Sequence, residues 1–294
     1  MTQATARPLT PYGFLLPALL VTATVILYPV AQTIVFSLQD YLLYAPDDAR
    51  FVGARNFLAV LKDEVFWISL RHSAVWVGGI VFAQLALGLV AALLLNQSFW
   101  WRGLARALVI IPWALPSVII GLMWTWIFDF NTGVLNDVLM RIGIIDQPQA
   151  WLAGPRSALA CVMLALVWQG FPFFAIMILA GLQTVPKELY EAAEIDGASA
   201  FRQFVHVTAP AIAGIVATAV LLRIIWVANS LDVILVMTGG GPGYATHTLP
   251  LYAFLRAYSG MEFGYAAALA LMLTVLLLAI VWLYVRRQAK ELDA

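Results

Sequence analysis

Long apolar blocks alternate with polar segments along the chain, and six of these blocks are long enough to cross a membrane. A helix needs about 20 apolar residues to cross the hydrocarbon core, and it must be a helix because lipid offers the backbone no hydrogen bonds. The pattern therefore predicts an all-α membrane protein with six transmembrane helices. These helices cover residues 12–37, 73–95, 105–128, 157–182, 211–237 and 264–285.

Composition supports the same class. Of the 294 residues, 63% are hydrophobic and only 11% are charged, and the mean hydropathy is +0.90. A soluble domain of this length would need far more polar surface. Lys and Arg together number 16, as do Asp and Glu, so the net charge gives no indication of a nucleic acid or an acidic ligand. We expect a single transmembrane domain over residues 1–294.

Orientation rests on where the basic residues lie, because their totals on the two sides are nearly equal. Arg102 and Arg106 crowd a short loop, and Arg286, Arg287 and Lys290 follow the last span directly. Basic residues next to spans favour the cytoplasmic side. An even number of spans places both termini together, so we expect a multi-pass protein of the plasma or inner membrane with both termini in the cytoplasm. The first block is too long for a signal peptide and should be retained.

Catalytic, metal and nucleotide chemistry have little support in the sequence. Cys161 is the only cysteine, which excludes an internal disulfide. His72, His206 and His247 are far apart, with no Cys, Asp or Glu cluster at ligand spacing. The chain also has no phosphate-binding glycine loop of the Walker type and no nucleophile–base arrangement at a span end. We therefore expect no enzyme, no metal site and no cofactor bound by this chain.

A structured cytoplasmic segment is predicted between spans four and five, over residues 184–210. Residues 187–196 are mostly good helix formers, and Gly197 should end that helix. Ser199 can cap a second short helix, which Pro210 should close before span five. A segment of this length with its own structure is usually functional, although a solvated amphipathic loop is the alternative.

Charged residues in span five indicate a polar pathway or a structural contact. Arg223 lies near mid-span, where a charge costs about 2.5–3.5 kcal/mol on insertion scales. Asp232 is nine residues further on, which on a straight helix places it on the opposite face. Arg223 therefore needs another partner, such as an interhelical carbonyl or a second subunit. A packing role for Arg223 is the alternative.

Two polar and aromatic clusters could contact a sugar. Trp226, Asn229 and Ser230 are neighbours in span five, where an indole beside an amide and a hydroxyl suits the apolar faces and hydroxyls of a sugar ring. In span four, Pro172 and Gly170 should kink the helix, and broken helices are tolerated where they line a cavity. Ordinary interhelical hydrogen bonding is the alternative for Asn and Ser.

A family resemblance begins in the segment 184–210. The spacing of Glu191-Ala192-Ala193, Gly197, Val207 and Ala209-Pro210 resembles the EAA motif of permease subunits of ATP-binding-cassette (ABC) importers, with Val207 and Ala209 in place of the usual Ile and Leu. The resemblance implies that this segment is the coupling helix, which sits in a cleft of an ATPase subunit. The residues predicted to couple to the ATPase are Glu191, Ala192, Ala193, Asp196 and Gly197.

Other stretches resemble the MalF-like sugar permeases in order and spacing; they are 51–57, 106–116, 132–136, 168–173, 226–232 and 238–242. The sequence departs from this pattern at Arg71-His72-Ser73, where an Asn-Thr pair is commoner. The resemblance implies the type I importer permease fold and import of a sugar, such as trehalose or maltose. It also implies four kinds of partner, which are the bilayer, a second permease subunit, two ATPase subunits that bind the ATP, and an extracytoplasmic sugar-binding protein.

In the family, positions that match Gln169 and Phe173 contribute to the sugar site. The predicted substrate-binding residues are therefore Gln169, Gly170, Phe173, Trp226, Asn229 and Ser230, with Arg223 and Asp232 as pathway or structural polar groups. An ion-coupled secondary transporter is the alternative function, but such carriers need titratable groups in the membrane, and the spans have almost none beyond these two.

Overall fold

The computed structural model describes the backbone of residues 10–292 and the side chains of residues 14–286. The side chains of Arg287 and Lys290, which contribute to the predicted orientation, lie outside this range. The described residues form two compact units. The first contains the residues up to Asp63 together with Tyr252–Leu276, and the second contains Glu64–Leu251 and the residues from Leu277 onward.

Helices provide almost all the regular structure of the described residues. The α-helices are α1 (Thr10–Thr22), α2 (Tyr28–Ser37), α3 (Arg55–Lys62), α4 (Glu64–Asn96), α5 (Arg102–Ala114), α6 (Ser117–Ile127), α7 (Val134–Arg141), α8 (Ser157–Leu182), α9 (Lys187–Ile195), α10 (Ala200–Gln203), α11 (Ala209–Asn229), α12 (Asp232–Met237), α13 (Leu249–Tyr258) and α14 (Phe263–Leu292). Two π-helical turns, Ala23–Leu27 and Phe204–Thr208, connect α1 to α2 and α10 to α11.

Within the described residues, five helical segments are long and apolar enough to cross a membrane, and they are Phe14–Ser37, Glu64–Asn96, Ser157–Leu182, Ala200–Met237 and Phe263–Arg286. A sixth span is obtained if α5 and α6, which are bent by 95° at the short break between them, are taken together. The second helix begins at Glu64, nine residues before the predicted apolar stretch, because the helix extends beyond its most apolar part.

The first unit contains α1, α2, a hairpin of two short strands and the start of α14. Strands β1 (Gln39–Asp40) and β2 (Arg50–Phe51) pair antiparallel, with Gln39 opposite Phe51. The side-chain amide of Asn56 donates to the backbone carbonyls of Ser37 and Gln39 at 2.9 and 2.8 Å, which fixes α3 against the end of the first span. Asp63 accepts hydrogen bonds from the hydroxyls of Tyr252 and Tyr265.

The second unit is organised around the packing of α4 against α8. Trp76 and Ile80 of α4 and Phe174 of α8 are almost completely buried. A Cβ atom on Gly88 would overlap the Cβ of Phe174, so the absence of a side chain at position 88 permits the close approach of the two helices. Small residues at helix contacts are the usual means of close packing in membranes, where no hydrophobic force drives helices together.

The breaks in the spans differ from the sequence-based expectation. The predicted kink at Pro172 interrupts no helix, because α8 is one α-helix from Ser157 to Leu182; buried neighbours can compensate for one missing backbone donor in a transmembrane helix. Span three breaks instead at Leu115 and Pro116. Leu115 is extended (φ −81°, ψ 139°), as is favoured for a residue that precedes proline.

Span five is also broken, which makes the straight-helix assumption for Arg223 and Asp232 wrong. Helix α11 ends at Asn229, Ser230 is extended (φ −75°, ψ 123°), and α12 begins at Asp232. The backbone N–H of Ser230 donates to the carbonyl of Val227 at 3.2 Å and tightens the last turn. Helical periodicity therefore does not set the relative directions of the two charged residues.

The segment 184–210 forms two short helices joined by a sharp bend. Gly197 has φ +74°, a conformation in which L side chains are strained, and it ends α9. The hydroxyl of Ser199 caps α10 by accepting from the backbone N–H of Arg202 at 3.5 Å. The prediction that Pro210 closes this helix is wrong. The π-helical turn pairs the N–H of Ala209 with the carbonyl of Phe204, and Pro210 then enters the first turn of α11 without ending the helix.

Candidate functional site

A cavity of about 530 Å³ lies in the second unit at the level of the breaks in spans three and five. Helices α5, α8 and α11 and the two extended segments supply its walls. The lining residues are Trp113, Leu115, Pro116, Ser117, Leu166, Gln169, Gly170, Arg223, Ile225, Trp226, Val227, Asn229, Ser230 and Asp232. The breaks open backbone and side-chain polar groups toward this space, which is the setting in which irregular backbone is tolerated at membrane depth.

The structure brings the predicted site residues together. Seven of them line the cavity, namely Gln169, Gly170, Arg223, Trp226, Asn229, Ser230 and Asp232. Phe173 is buried behind the wall, with its ring centroid 5.1 Å from that of Trp226. The break at Ser230 explains why Arg223 and Asp232 can both face the cavity although nine residues separate them. Phe173 therefore does not line the cavity itself but packs against Trp226, which does.

An aromatic wall forms one side of the cavity. Phe173 packs against Trp226 on one side and against Trp113 on the other, with centroids 5.1 and 5.9 Å apart. Trp226 remains 47% exposed in the described chain, so part of its indole is available to a ligand. Such a surface suits the apolar C–H face of a sugar ring. Sequence reasoning missed Trp113 as a wall residue, although it lies inside predicted span three, directly after Pro112.

Hydrogen bonds hold the polar side chains of the cavity in place. The Gln169 amide donates to the hydroxyl of Ser117 at 3.2 Å, and the backbone carbonyl of Leu115 lies 3.5 Å from the same nitrogen. Gln169 therefore connects α8 to the break in span three. The Asn229 amide donates to the carbonyl of Ile225 at 2.8 Å, which leaves its own carbonyl oxygen as an acceptor at the cavity.

Arg223 finds its partner on α4. Its Nε donates to Oε1 of Gln84 at 2.9 Å, and Nε2 of Gln84 donates in turn to the carbonyl of Leu166 at 2.7 Å. The guanidinium carbon also lies 5.8 and 5.9 Å from the ring centroids of Phe173 and Trp226, within the range of cation–π attraction. An interhelical carbonyl was one of the two expected kinds of partner, and the structure supplies it as the side-chain amide oxygen of Gln84.

Sequence reasoning missed Gln84. Its side chain is completely buried, at 0% exposure, inside an otherwise apolar stretch of α4. A lone amide at membrane depth is energetically costly unless it is hydrogen-bonded. The presence of Gln84 in an apolar stretch could therefore have indicated a buried hydrogen-bonding partner. Gly170 belongs to the same contact, because a Cβ atom there would overlap both Nε2 of Gln84 and Nη2 of Arg223. Gly170 therefore makes room for the Arg223–Gln84 pair.

The predicted ATPase-coupling residues lie on and just after α9, at the surface of the second unit. Glu191, Ala192, Asp196 and Gly197 are exposed, and Ala193 is half-buried. The Tyr190 hydroxyl and the Thr208 hydroxyl are 3.0 Å apart, which ties α9 to the π-helical turn that leads into span five. This contact connects α9 to the start of span five.

Two exposed apolar side chains at the same bend were not predicted. Ile195 is 87% exposed and Phe201 is 75% exposed, on opposite sides of Gly197. Both lie in a polar helical segment, so the hydrophobic pattern does not predict that either side chain is buried in a core. Large apolar groups exposed on a rigid polar projection are typical of a surface that contacts another protein.

The histidines lie away from the cavity. Nδ1 of His72 is 3.2 Å from the backbone carbonyl of His247. In the predicted orientation, both residues lie on the extracytoplasmic side. Burial, followed by the charge of His72, lowers the pKa of His247. No group of three or more His, Cys, Asp or Glu side chains within the described part of the chain is arranged to hold a metal ion.

Comparison with known proteins places the chain among transport permeases. Residues 84–290 match the model of a family described as binding-protein-dependent transport system inner membrane component. The trehalose/maltose transport system permease protein MalF of Thermococcus litoralis is 38% identical over 275 residues, which cover 94% of this chain and 92% of that protein. The sulfoquinovosyl glycerol transport system permease protein SmoG of Agrobacterium fabrum is 36% identical over 272 residues, which cover 92% and 88% of the two chains.

The fold matches that of solved ABC importers. A chain of a bacterial ABC transporter involved in the import of the acidic polysaccharide alginate superposes with a TM-score of 0.82 at 21% identity, over 95% of this chain and 94% of that one. The similarity establishes the type I permease fold, and the sequence matches confirm the resemblance to MalF-like permeases. The matches support this class and not the ion-coupled secondary transporter. The chain therefore belongs to the family of binding-protein-dependent transport system inner membrane components.

Proposed function

We propose that this chain is one of two permease subunits of an ATP-driven sugar importer. With the second permease it forms an alternating-access pathway, two ATPase subunits supply the energy, and an extracytoplasmic binding protein delivers the sugar. The relatives named above as trehalose/maltose and sulfoquinovosyl glycerol permeases support a sugar as substrate. This chain itself carries out no catalysis and binds no cofactor.

The cavity carries the proposal. It combines the half-exposed indole of Trp226 with amide and hydroxyl groups from Gln169, Asn229 and Ser230. A sugar offers apolar C–H faces for the indole and hydroxyls that both donate and accept, so each kind of side chain has a partner on the ligand. Mostly preformed pockets with a few placed polar groups are the usual form of small-molecule sites.

The coupling segment supports the use of an external ATPase. Helix α9 is largely exposed at the surface of the second unit, ends at the bend at Gly197 and is connected to span five by the Tyr190–Thr208 contact. ATPase closure can therefore move span five, and with it Trp226 and Asn229, as a rigid body. In this arrangement α9 and both termini lie on the cytoplasmic side.

Uptake by the assembled importer tests the site. We expect Gln169→Leu and Asn229→Leu each to lower sugar uptake about tenfold or more, because each leaves a sugar hydroxyl without its partner. Gln97→Leu removes the same amide from an exposed position outside the cavity and should leave uptake unchanged. Co-purification with the ATPase confirms assembly. Uptake at the unsubstituted rate in both cavity variants would refute the site.

A further inference from the structure

Arg223 is a buried cation whose partner in this chain is neutral. Its Nε binds the uncharged amide of Gln84, and none of the ion pairs within residues 14–286 includes Arg223. A charge at membrane depth is costly and is usually retained for a function. The guanidinium carries five N–H donors, of which the Gln84 contact uses one. Arg223 is among the residues that line the cavity, and its Nη2 lies beside Gly170, which also lines it.

Gln84 fixes the direction of these donors. It accepts from Arg223 with one side-chain atom and donates to the carbonyl of Leu166 with the other, so it joins α11, α4 and α8. Gly170 leaves space for this pair, since a Cβ atom would overlap both side chains. A guanidinium held in this way loses little conformational entropy when it binds a ligand. Gln84 thus acts on a ligand only through Arg223.

Asp232 supplies the opposite charge. Of the residues of this chain that line the cavity, only Arg223 and Asp232 have ionisable side chains, so the charges of the lining sum to zero. The two side chains have complementary roles, because a guanidinium only donates hydrogen bonds and a carboxylate only accepts them. An uncharged polyol can satisfy both, since each hydroxyl donates and accepts. A ligand with a carboxylate or sulfonate could pair with Arg223, but the negative charge of Asp232 would repel it.

We propose that this cavity selects uncharged sugars over acidic ones, with Arg223 as the specificity-determining donor, Asp232 as the acceptor and Gln84 as the residue that positions Arg223. The inference rests on the proposed function and adds the substrate class to it. Charge discrimination is strong here because an unpaired net charge in a site of low dielectric is expensive. The two opposite charges of the lining therefore admit an uncharged polar ligand and disfavour a ligand with a net charge.

Direct binding to the purified permease–ATPase complex, without the binding protein, tests this selection. Uncharged disaccharides (trehalose, maltose, sucrose and cellobiose) and acidic sugars (sulfoquinovosyl glycerol and a glucuronic-acid disaccharide) are titrated while tryptophan fluorescence is recorded. Trp226→Phe identifies the cavity signal. We expect at least one uncharged sugar to bind about tenfold or more tightly than every acidic sugar. Tighter binding of an acidic sugar would overturn the inference and leave the proposed function intact.

Three substitutions at two positions separate selection from mere folding. Asp232→Asn gives the lining a net positive charge and should shift the affinity ratio toward acidic sugars by about tenfold. Gln84→Leu should reduce the affinity for the uncharged sugar, whereas Gln84→Glu retains the acceptor, adds a negative charge and should disfavour acidic sugars further. An unchanged ratio in all three variants would overturn the assignment. If no sugar binds and the intact importer takes up none, the proposed function itself fails.

Discussion

Gly170 of α8 lies so close to Gln84 of α4 that a single added methyl group would overlap the Gln84 amide. The same methyl would overlap Nη2 of Arg223. A residue without a side chain on one helix therefore sets the position of a cation on another. Two of the three residues in this contact, Gly170 and Arg223, also line the cavity.

Gly170→Ala should therefore impair transport without any direct loss of a sugar contact. The methyl group displaces Arg223 or Gln84, and over-packing of this kind costs about 1–3 kcal/mol. We expect sugar affinity and uptake to fall about fivefold or more, measured on the assembled complex. Gly78→Ala is the matched control, because nothing lies within 4 Å of a Cβ at that position of α4. Normal affinity in Gly170→Ala would contradict the geometry.

Gly88→Ala tests the packing of α4 against α8 away from the cavity. The new methyl overlaps Phe174, which is fully buried, so we expect a loss of about 1–3 kcal/mol in stability. The measurement is the midpoint of thermal unfolding of the purified complex in detergent, which should fall by several degrees. The Gly78→Ala variant again provides the reference. Equal midpoints for the two variants would show that the helices have room to separate.

Substitutions at the bend of the coupling segment should weaken binding of the ATPase and thereby lower transport. Ile195→Asp and Phe201→Asp place charges where we expect a protein partner, and each should lower ATPase co-purification and uptake by about tenfold. Glu191→Ala should reduce uptake in the same way, through the loss of a contact to the ATPase. Glu188→Ala, on the same exposed helix, is the control. Unchanged ATPase co-purification and uptake in the Ile195→Asp and Phe201→Asp variants would exclude this surface as the ATPase contact.

Accessibility of single cysteines tests the predicted orientation. In a Cys161→Ala background, Ser199→Cys should react with an impermeant maleimide only in inside-out vesicles, and Asp47→Cys only in right-side-out vesicles or intact cells. Both positions are exposed in the structure, so burial does not confuse the readout. Labelling of Ser199→Cys from the outside would invert the topology and remove the coupling role of α9.

Acid should loosen the outer loop that contains His247. Burial and then the charge of His72 lower its pKa, and the ring of Tyr244 packs edge-on against it at 4.9 Å. The folded state therefore binds the proton more weakly than the unfolded state. The stability that the neutral imidazole contributes is complete above the unfolded pKa of about 6.5 and is lost as the pH falls below it. The hydrogen-exchange protection factors of residues 238–248, which correct for the intrinsic pH dependence of amide exchange, should fall as the pH is lowered from 7.5 to 5, and much less so in His247→Asn.

Much of this architecture follows from the hydrophobic pattern, because a membrane-crossing helix needs a long apolar stretch. The bend at Gly197 and the cap at Ser199 were likewise predictable, since both depend on local backbone chemistry. The grouping of Gln169, Trp226 and Asn229 around one cavity was predicted as well, with help from the family resemblance. Whether these residues bind sugar is the subject of the uptake and binding experiments.

The helix breaks could not be predicted in the same way. Pro116 breaks span three and Pro172 does not break span four, although each is a proline in an apolar stretch. The difference lies in the surrounding packing, which no local pattern records. The break at Ser230 has no proline or glycine at all. Gln84 was missed for a related reason, because its importance comes from a partner 139 residues away.

The energy source of transport tests the central claim most directly. The purified complex of this chain with its second permease and ATPase is reconstituted into proteoliposomes with the binding protein and a labelled disaccharide outside. We predict uptake that requires ATP inside the vesicles and persists when a protonophore removes the proton gradient. Uptake by this chain without the ATPase, driven by a proton or sodium gradient, would contradict the account.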